Sequence, residues 1–118
     1  MDYFLYLSSC STCKRILGEL SLPDSITLID IKKEPLTPDQ LNDLYESVSN
    51  YEALINKRAQ LFKQRYIDSQ SLTELSAKDL LLDHYTFLKR PILKYKDKVF
   101  VGNSKAEVSA AKKWLDEH

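Results

Sequence analysis

The stretch "YFLYLSSCSTCKRIL", residues 3–17, constrains this chain most. A short apolar and aromatic run, Tyr3–Leu7, reads as a buried strand. After two serines, Cys13, Ile16, Leu17 and Leu20 recur at i, i+3, i+4 and i+7, which is one apolar helical face. The spacing predicts a helix that begins near Ser9–Ser11 and stops before Pro23. A strand therefore hands over directly to a helix. Both cysteines of the chain lie at that junction, Cys10 at the helix N-terminus and Cys13 one turn in, on the packed side.

The same reading extends along the chain. "SITLIDI", 25–31, is β-branched and apolar and predicts a second strand. "TPDQ" opens a helix, with Thr37 as N-cap, Pro38 at N1 and Gln40 in the capping-box position. "YEALINKRAQLFKQR" reads as another helix, and "SAKDLLLDHY" as a third, with Ser76 as its cap. "RPILKY", a turn at "KDK", and "VFV" predict a hairpin ended by Gly102. "SKAE", 104–107, is a further capping box, followed by a buried stripe of Val108, Ala111 and Leu115.

The order is thus β, α, β, several helices, β, β, α. A strand–helix–strand start favours a parallel pair, and the final strands an antiparallel pair. The expected fold is α/β, a four-stranded mixed sheet flanked by helices in the thioredoxin or glutaredoxin arrangement. It forms one domain over 1–118, with about 1–34 and 86–118 as a redox core and about 37–85 as a helical insert.

The 118 residues are enough for one hydrophobic core without disulfides. With 43% hydrophobic and 29% charged residues, the chain is of ordinary globular composition. Zero formal net charge argues against direct nucleic-acid binding or membrane-surface affinity. No apolar stretch is long enough to span a membrane. The N-terminus, with Asp2 and no basic flank, makes a poor export signal. Free thiols in such a chain suit a reducing compartment, so a cytoplasmic location is expected. The densest cationic stretch holds Lys89, Arg90, Lys94, Lys96 and Lys98. Its lysines read as a solvated strand edge.

A thiol reacts as its thiolate. A helix N-terminus carries unpaired N–H groups and about half a positive charge, so Cys10 is the expected nucleophile. Lys14 and Arg15 add to the effect if they point back. Cys13, on the apolar face, is either a more protonated resolving thiol or a small core hydrophobe. A zinc site lacks ligands, because His84 and His118 show no zinc-finger spacing. His84 reads as a half-exposed helix residue. Ser11, Thr12 and Lys14, in the first turn, are expected substrate contacts. Arg58 reads, on periodicity, as a solvated helix charge. Arg90 precedes Pro91, which keeps it extended and allows a cis bond. A guanidinium beside an activated thiolate serves an anionic substrate.

"YLSSCSTCKRIL", "NKRAQLFKQ" and "LKRPILKYKDKVFVG", in this order, resemble the glutaredoxin-type arsenate reductases and the Spx transcription regulators. The resemblance covers nearly the whole chain and implies a thioredoxin-like fold with a helical insert. It implies that Cys10 is catalytic, that Arg58 and Arg90 hold an oxyanion, and that Pro91 is the family's cis-proline beside the active site, a further substrate contact. In the arsenate reductases the cysteine attacks arsenate, and glutathione with glutaredoxin completes the reduction. Glutathione is then a co-substrate rather than a bound cofactor. A third arginine of those enzymes is replaced near Gly102 and Asn103, and their counterpart of Cys13 is usually serine. In Spx the Cys-x-x-Cys pair is a disulfide switch, and the protein binds the C-terminal domain of the RNA polymerase α-subunit. The Spx glycine used in that contact is Asn50 here. The enzyme reading is preferred, because both arginines accompany the nucleophile; a redox-switched regulator is the alternative.

Overall fold

The computed structural model describes all of residues 1–118. The chain forms two compact units, Met1–Glu34 with Arg90–His118, and Pro35–Lys89.

The first unit is built on β1 (Tyr3–Tyr6), α1 (Ser11–Leu20), β2 (Thr27–Asp30), β3 (Ile92–Tyr95), β4 (Lys98–Val101) and α5 (Lys105–Glu117). The four strands lie in the order β2-β1-β3-β4. β1 runs parallel to β2, with Phe4 opposite Leu28 and Tyr6 opposite Asp30. It runs antiparallel to β3, with Phe4 opposite Leu93, and Leu93 in turn faces Phe100 of β4. This register puts Phe4, Leu93 and Phe100 side by side on one sheet face. There they meet Ile16 and Leu20 of α1 and Ala111 of α5. Each of the larger buried side chains, Ala111 aside, contributes roughly 1.5–3 kcal/mol. Trp114 joins this layer and donates its indole N–H to the Tyr95 carbonyl at 3.0 Å. Tyr3, Leu5 and Ile92 alternate onto the other face and are also buried.

The hairpin between β3 and β4 turns on Lys96 and Asp97, both at positive φ (49° and 65°). Two consecutive left-handed residues are what a two-residue turn between twisted strands requires. The lysine-rich stretch divides here. Lys98 lies on the edge strand and is exposed, but Lys94 lies on the interior strand β3 and is only 9% exposed. It is not part of a solvated edge. Its ammonium donates to the Met1 carbonyl at 3.0 Å and sits 5.8 Å from the centre of the Tyr3 ring. α5 starts at Ser104, whose hydroxyl accepts from the Glu107 amide. The expected reciprocal bond is absent: Glu107 Oε2 accepts from the Val101 amide at 2.9 Å and so satisfies the end of β4.

The second unit holds α2 (Pro38–Val48), a 3₁₀ turn (Glu52–Leu54), α3 (Gln60–Gln64), α4 (Glu74–Asp83) and a 3₁₀ turn (Tyr85–Phe87). α2 begins with the expected Thr37–Gln40 capping box. The long helix expected over "YEALINKRAQLFKQR" is not formed. Ile55 is extended and pairs with Leu88. The Leu54 carbonyl accepts from Lys89 N–H, and Asn56 N–H donates to the Phe87 carbonyl. This bridge takes the backbone groups a continuous helix would have used. α4 starts two residues earlier than Ser76 because Thr73 is the cap; Ser76 occupies the third helical position and answers with its own hydroxyl. Phe62 and Phe87 meet edge to face at 4.9 Å in the centre of this unit.

Candidate functional site

The end of β1 delivers Cys10 through a tight turn, in which the Cys10 amide donates to the Leu7 carbonyl at 2.9 Å. Cys10 is the residue before the first helical turn, with an extended backbone (φ −95°, ψ 112°). No serine or aspartate oxygen caps α1. The Cys13 and Thr12 amides instead face the Cys10 sulfur, short of a formal side-chain cap hydrogen bond. The sulfur is half-buried, and that burial pushes its pKa up. The Cys13 amide, the Cys13 thiol, the Thr12 amide and the Arg90 charge together outweigh burial and bring Cys10 below its ordinary value.

Cys13 is fully buried with Ile16 and Leu20 on the inner face of α1. Burial is the main reason its pKa rises, to about 11; a Leu7 backbone bond and Arg90 oppose this, and the Cys10 sulfur adds to it. The two sulfurs are therefore tuned in opposite directions within one helical turn. Both are free thiols.

Arg90 enters β3 through a cis peptide bond to Pro91. It is the cation that acts on both sulfurs. Lys14 is exposed, and Arg15 does not point back toward Cys10. It runs the other way along α1 to pair with Glu19 at 2.8 Å. Ser11 is exposed and Thr12 half-buried. Pro91 is buried, and its carbonyl accepts from the Gly102 amide at 2.9 Å, which ties the end of β4 beside Arg90–Pro91. Gly102 has φ +93° with open space where a side chain would go. The backbone there favours glycine, so an arginine at this position would be strained by conformation rather than by crowding.

Arg58 lies in the second unit. It is exposed, in the loop before α3, and its amide donates to Asn56 Oδ1 at 3.1 Å, so it is not a helix residue. His84 caps the end of α4. It is half-buried, and its Nδ1 accepts from the Thr86 amide at 3.1 Å. No group of three His, Cys, Asp or Glu side chains is arranged to hold a metal ion. No helix is long and apolar enough to cross a membrane.

Two residues of this region escape a reading of the sequence alone. Asp30 closes β2, and the Ser8 hydroxyl donates to its Oδ2 at 2.5 Å. Asp30 reads in sequence as one more strand residue, and Ser8 as loop filler. The signal that could have found them is positional: both sit at the carboxyl ends of adjacent parallel strands, where open α/β sheets place their sites.

Comparison with known proteins bears on the family and the fold. The model of the ArsC family matches residues 5–111. A global transcriptional regulator Spx of Streptococcus agalactiae is 28% identical over 109 residues, which cover 90% of this chain and 80% of that protein. The solution structure of an arsenate reductase (ArsC) related protein from Brucella melitensis is 25% identical, with a TM-score of 0.67 over 92% of each chain. An arsenate reductase from Vibrio cholerae, 15% identical, shares the fold, with a TM-score of 0.72 over 98% of this chain and 95% of that one. The mixed sheet with flanking helices is thus the thioredoxin-like fold of these proteins, and the chain belongs to the ArsC family.

Proposed function

We propose that this protein is a thiol-dependent oxidoreductase in which Cys10 attacks an oxyanion or a disulfide. The observation that carries the reading is the placement of the two sulfurs, Cys10 half-buried immediately before the first turn of α1 and Cys13 buried within that turn, which tunes them in opposite directions with Arg90 acting on both. A nucleophile needs its thiolate at neutral pH, whereas a resolving thiol needs to wait until the first bond has formed.

On a disulfide R–S–S–R′, the Cys10 thiolate attacks one sulfur, forms Cys10–S–S–R and expels R′–S⁻. Cys13 then loses its proton and attacks the Cys10 sulfur, closing Cys10–Cys13 and expelling R–S⁻. Two electrons pass from the protein to the substrate. On an arsenate-like oxyanion, Cys10 forms a sulfur–arsenic bond and a protonated oxygen leaves as water. A second thiol, Cys13 or glutathione, attacks the Cys10 sulfur. The sulfur–arsenic electron pair stays on arsenic, which departs as arsenite. Glutathione, with glutaredoxin, would return the oxidised protein to its dithiol. Arg90 offsets the negative charge that accumulates beside the thiolate, while Ser11, Thr12, Lys14 and Pro91 bound the place the substrate takes. Arg58 enters through the family resemblance alone. A free dithiol works where thiols are kept reduced, so the reading takes the cytoplasm as its location.

A glutathione- and glutaredoxin-coupled assay with arsenate, run beside one with a small disulfide, tests the proposal. Wild type turns over at least one substrate, Cys10→Ser neither, and Arg90→Ala and Arg58→Ala lose most of the rate on the oxyanion. A silent wild type, or an active Cys10→Ser, overturns it.

The 28% identity to a transcriptional regulator supports a second reading, a redox-switched regulator of Spx type that binds the RNA polymerase α-subunit. Co-purification of that polymerase domain with only one redox state of the protein would establish it. Equal recovery with both states, or none, would remove it.

A further inference from the structure

The Cys10–Leu7 bond makes Ser8 and Ser9 the two corner residues of the turn that carries the nucleophile. Ser8 is held there from outside the turn. Its hydroxyl donates to Asp30 Oδ2 at 2.5 Å, and its backbone adds to the lowering of the same carboxyl's pKa. Asp30 is only 8% exposed and is itself fixed. Its Oδ1 accepts from the Lys32 amide at 3.2 Å. Its carbonyl accepts from the Lys33 and Glu34 amides at 3.0 and 2.8 Å, and the neighbouring Ile31 amide donates to Tyr6 at 2.9 Å. The end of β2 thus anchors the loop leaving β1.

Asp30 is not one of the groups whose charge is seen to shift Cys10, and a negative charge would in any case oppose ionisation of the sulfur. A mechanical role explains it better. The groups that favour the Cys10 thiolate include the Thr12 and Cys13 amides, the Cys13 thiol and the Arg90 charge. Hydrogen bonds weaken steeply when the donor is misaligned, so amides help only if the sulfur is held in line with them. We propose that Ser8 and Asp30 form a positioning pair that locks the Leu7–Cys10 turn and so holds the Cys10 sulfur against the start of α1. The inference rests on the reading of Cys10 as the nucleophile.

The test is a thiolate titration by ultraviolet absorbance, with iodoacetamide alkylation of Cys10 at pH 7 read by peptide mass, on the full chain. It needs no substrate, so a protein inert in every turnover assay still answers. Ser8→Ala and Asp30→Ala raise the Cys10 midpoint. A rise of about half a unit lowers the alkylation rate by roughly twofold, once the greater nucleophilicity of the more basic thiolate is counted. Asp30→Asn keeps an acceptor oxygen but removes the charge, so its midpoint stays at or below wild type, and Ser8→Thr retains the wild-type rate. If Asp30→Ala and Asp30→Asn both lower the midpoint alike, Asp30 acts as a charge and the positioning pair is overturned. A lowered wild-type midpoint that neither Ser8→Ala nor Asp30→Ala moves overturns the pair alone. A wild-type midpoint at the ordinary thiol value overturns the reading of Cys10 on which it rests. Should Asp30→Ala fail to fold, Ser8→Ala decides.

Discussion

Alkylation kinetics will separate the two sulfurs, and Cys10→Ser is the perturbation that shows why. Cys13, at about 11, sits well above an ordinary thiol. At pH 7 an ordinary thiol near 8.5 is roughly 3% ionised and one near 11 roughly 0.01%, a disadvantage of about 300-fold. The more basic thiolate is the better nucleophile, and a Brønsted slope near 0.4–0.5 returns roughly ten- to eighteenfold. The net expectation is that Cys13 reacts roughly twentyfold more slowly than an unperturbed cysteine. Its complete burial makes that figure a minimum. Cys10 reacts faster than an unperturbed cysteine at the same pH, by virtue of its lowered pKa. Replacing Cys10 by serine removes the neighbouring sulfur and its charge, which both raise Cys13, but leaves burial, the largest cause. The Cys13 midpoint therefore falls yet stays above the ordinary range. Iodoacetamide labelling between pH 5 and 12, resolved by peptide mass in wild type, Cys10→Ser and Cys13→Ser, reads all of this. Equal rates at the two positions, or first labelling of Cys13, would refute the reasoning.

Other expectations concern charge and backbone. Arg90→Ala raises the midpoints of both sulfurs, since its charge lowers each; a shift confined to one of them contradicts a shared cation. Thr37→Ala and Thr73→Ala each remove an N-cap that accepts an amide, and each lowers stability by about 1 kcal/mol in urea titration. Asp97→Gly relieves a left-handed residue at φ 65° in the hairpin turn and raises stability by about 0.5–1 kcal/mol. Acid acts through three carboxyls held below their usual range: Asp30 by the Ser8 hydroxyl, Asp68 by the Gln70 amide and Asp83 by Arg65. A group whose folded pKa is lowered stabilises above the unfolded value, about 3.9, and that contribution is lost as pH falls through the folded value. The urea midpoint is then unaffected by these groups above about pH 5 and declines below about pH 4. A midpoint unchanged down to pH 2 would count against all three contacts.

The sequence by itself determined the elements whose signals are local. The apolar run before Cys10, the i, i+3, i+4, i+7 face of α1 and the Thr37–Gln40 box each involve residues within a turn or two. So do the two strands about Lys96–Asp97. The structure keeps them, with β2 trimmed to Thr27–Asp30. Cys10 at a helix start and Cys13 on its packed face follow from the same periodicity. Wherever a distant partner decides, the sequence is silent or misleading. Ile55 leaves its helical pattern because Leu88 offers it a bridge. Lys94 looks like an edge lysine until β4 is laid outside β3. Glu107 abandons its capping box for an amide at the end of β4. Arg15 turns to Glu19, and the charge on the sulfurs comes instead from Arg90, 80 positions beyond Cys10. The Ser8–Asp30 clamp spans 22 positions in the same way. Periodicity records which face of an element is apolar. Hydrogen bonds and charges between remote residues depend on where the strands are laid side by side, and that is decided only when the chain has folded.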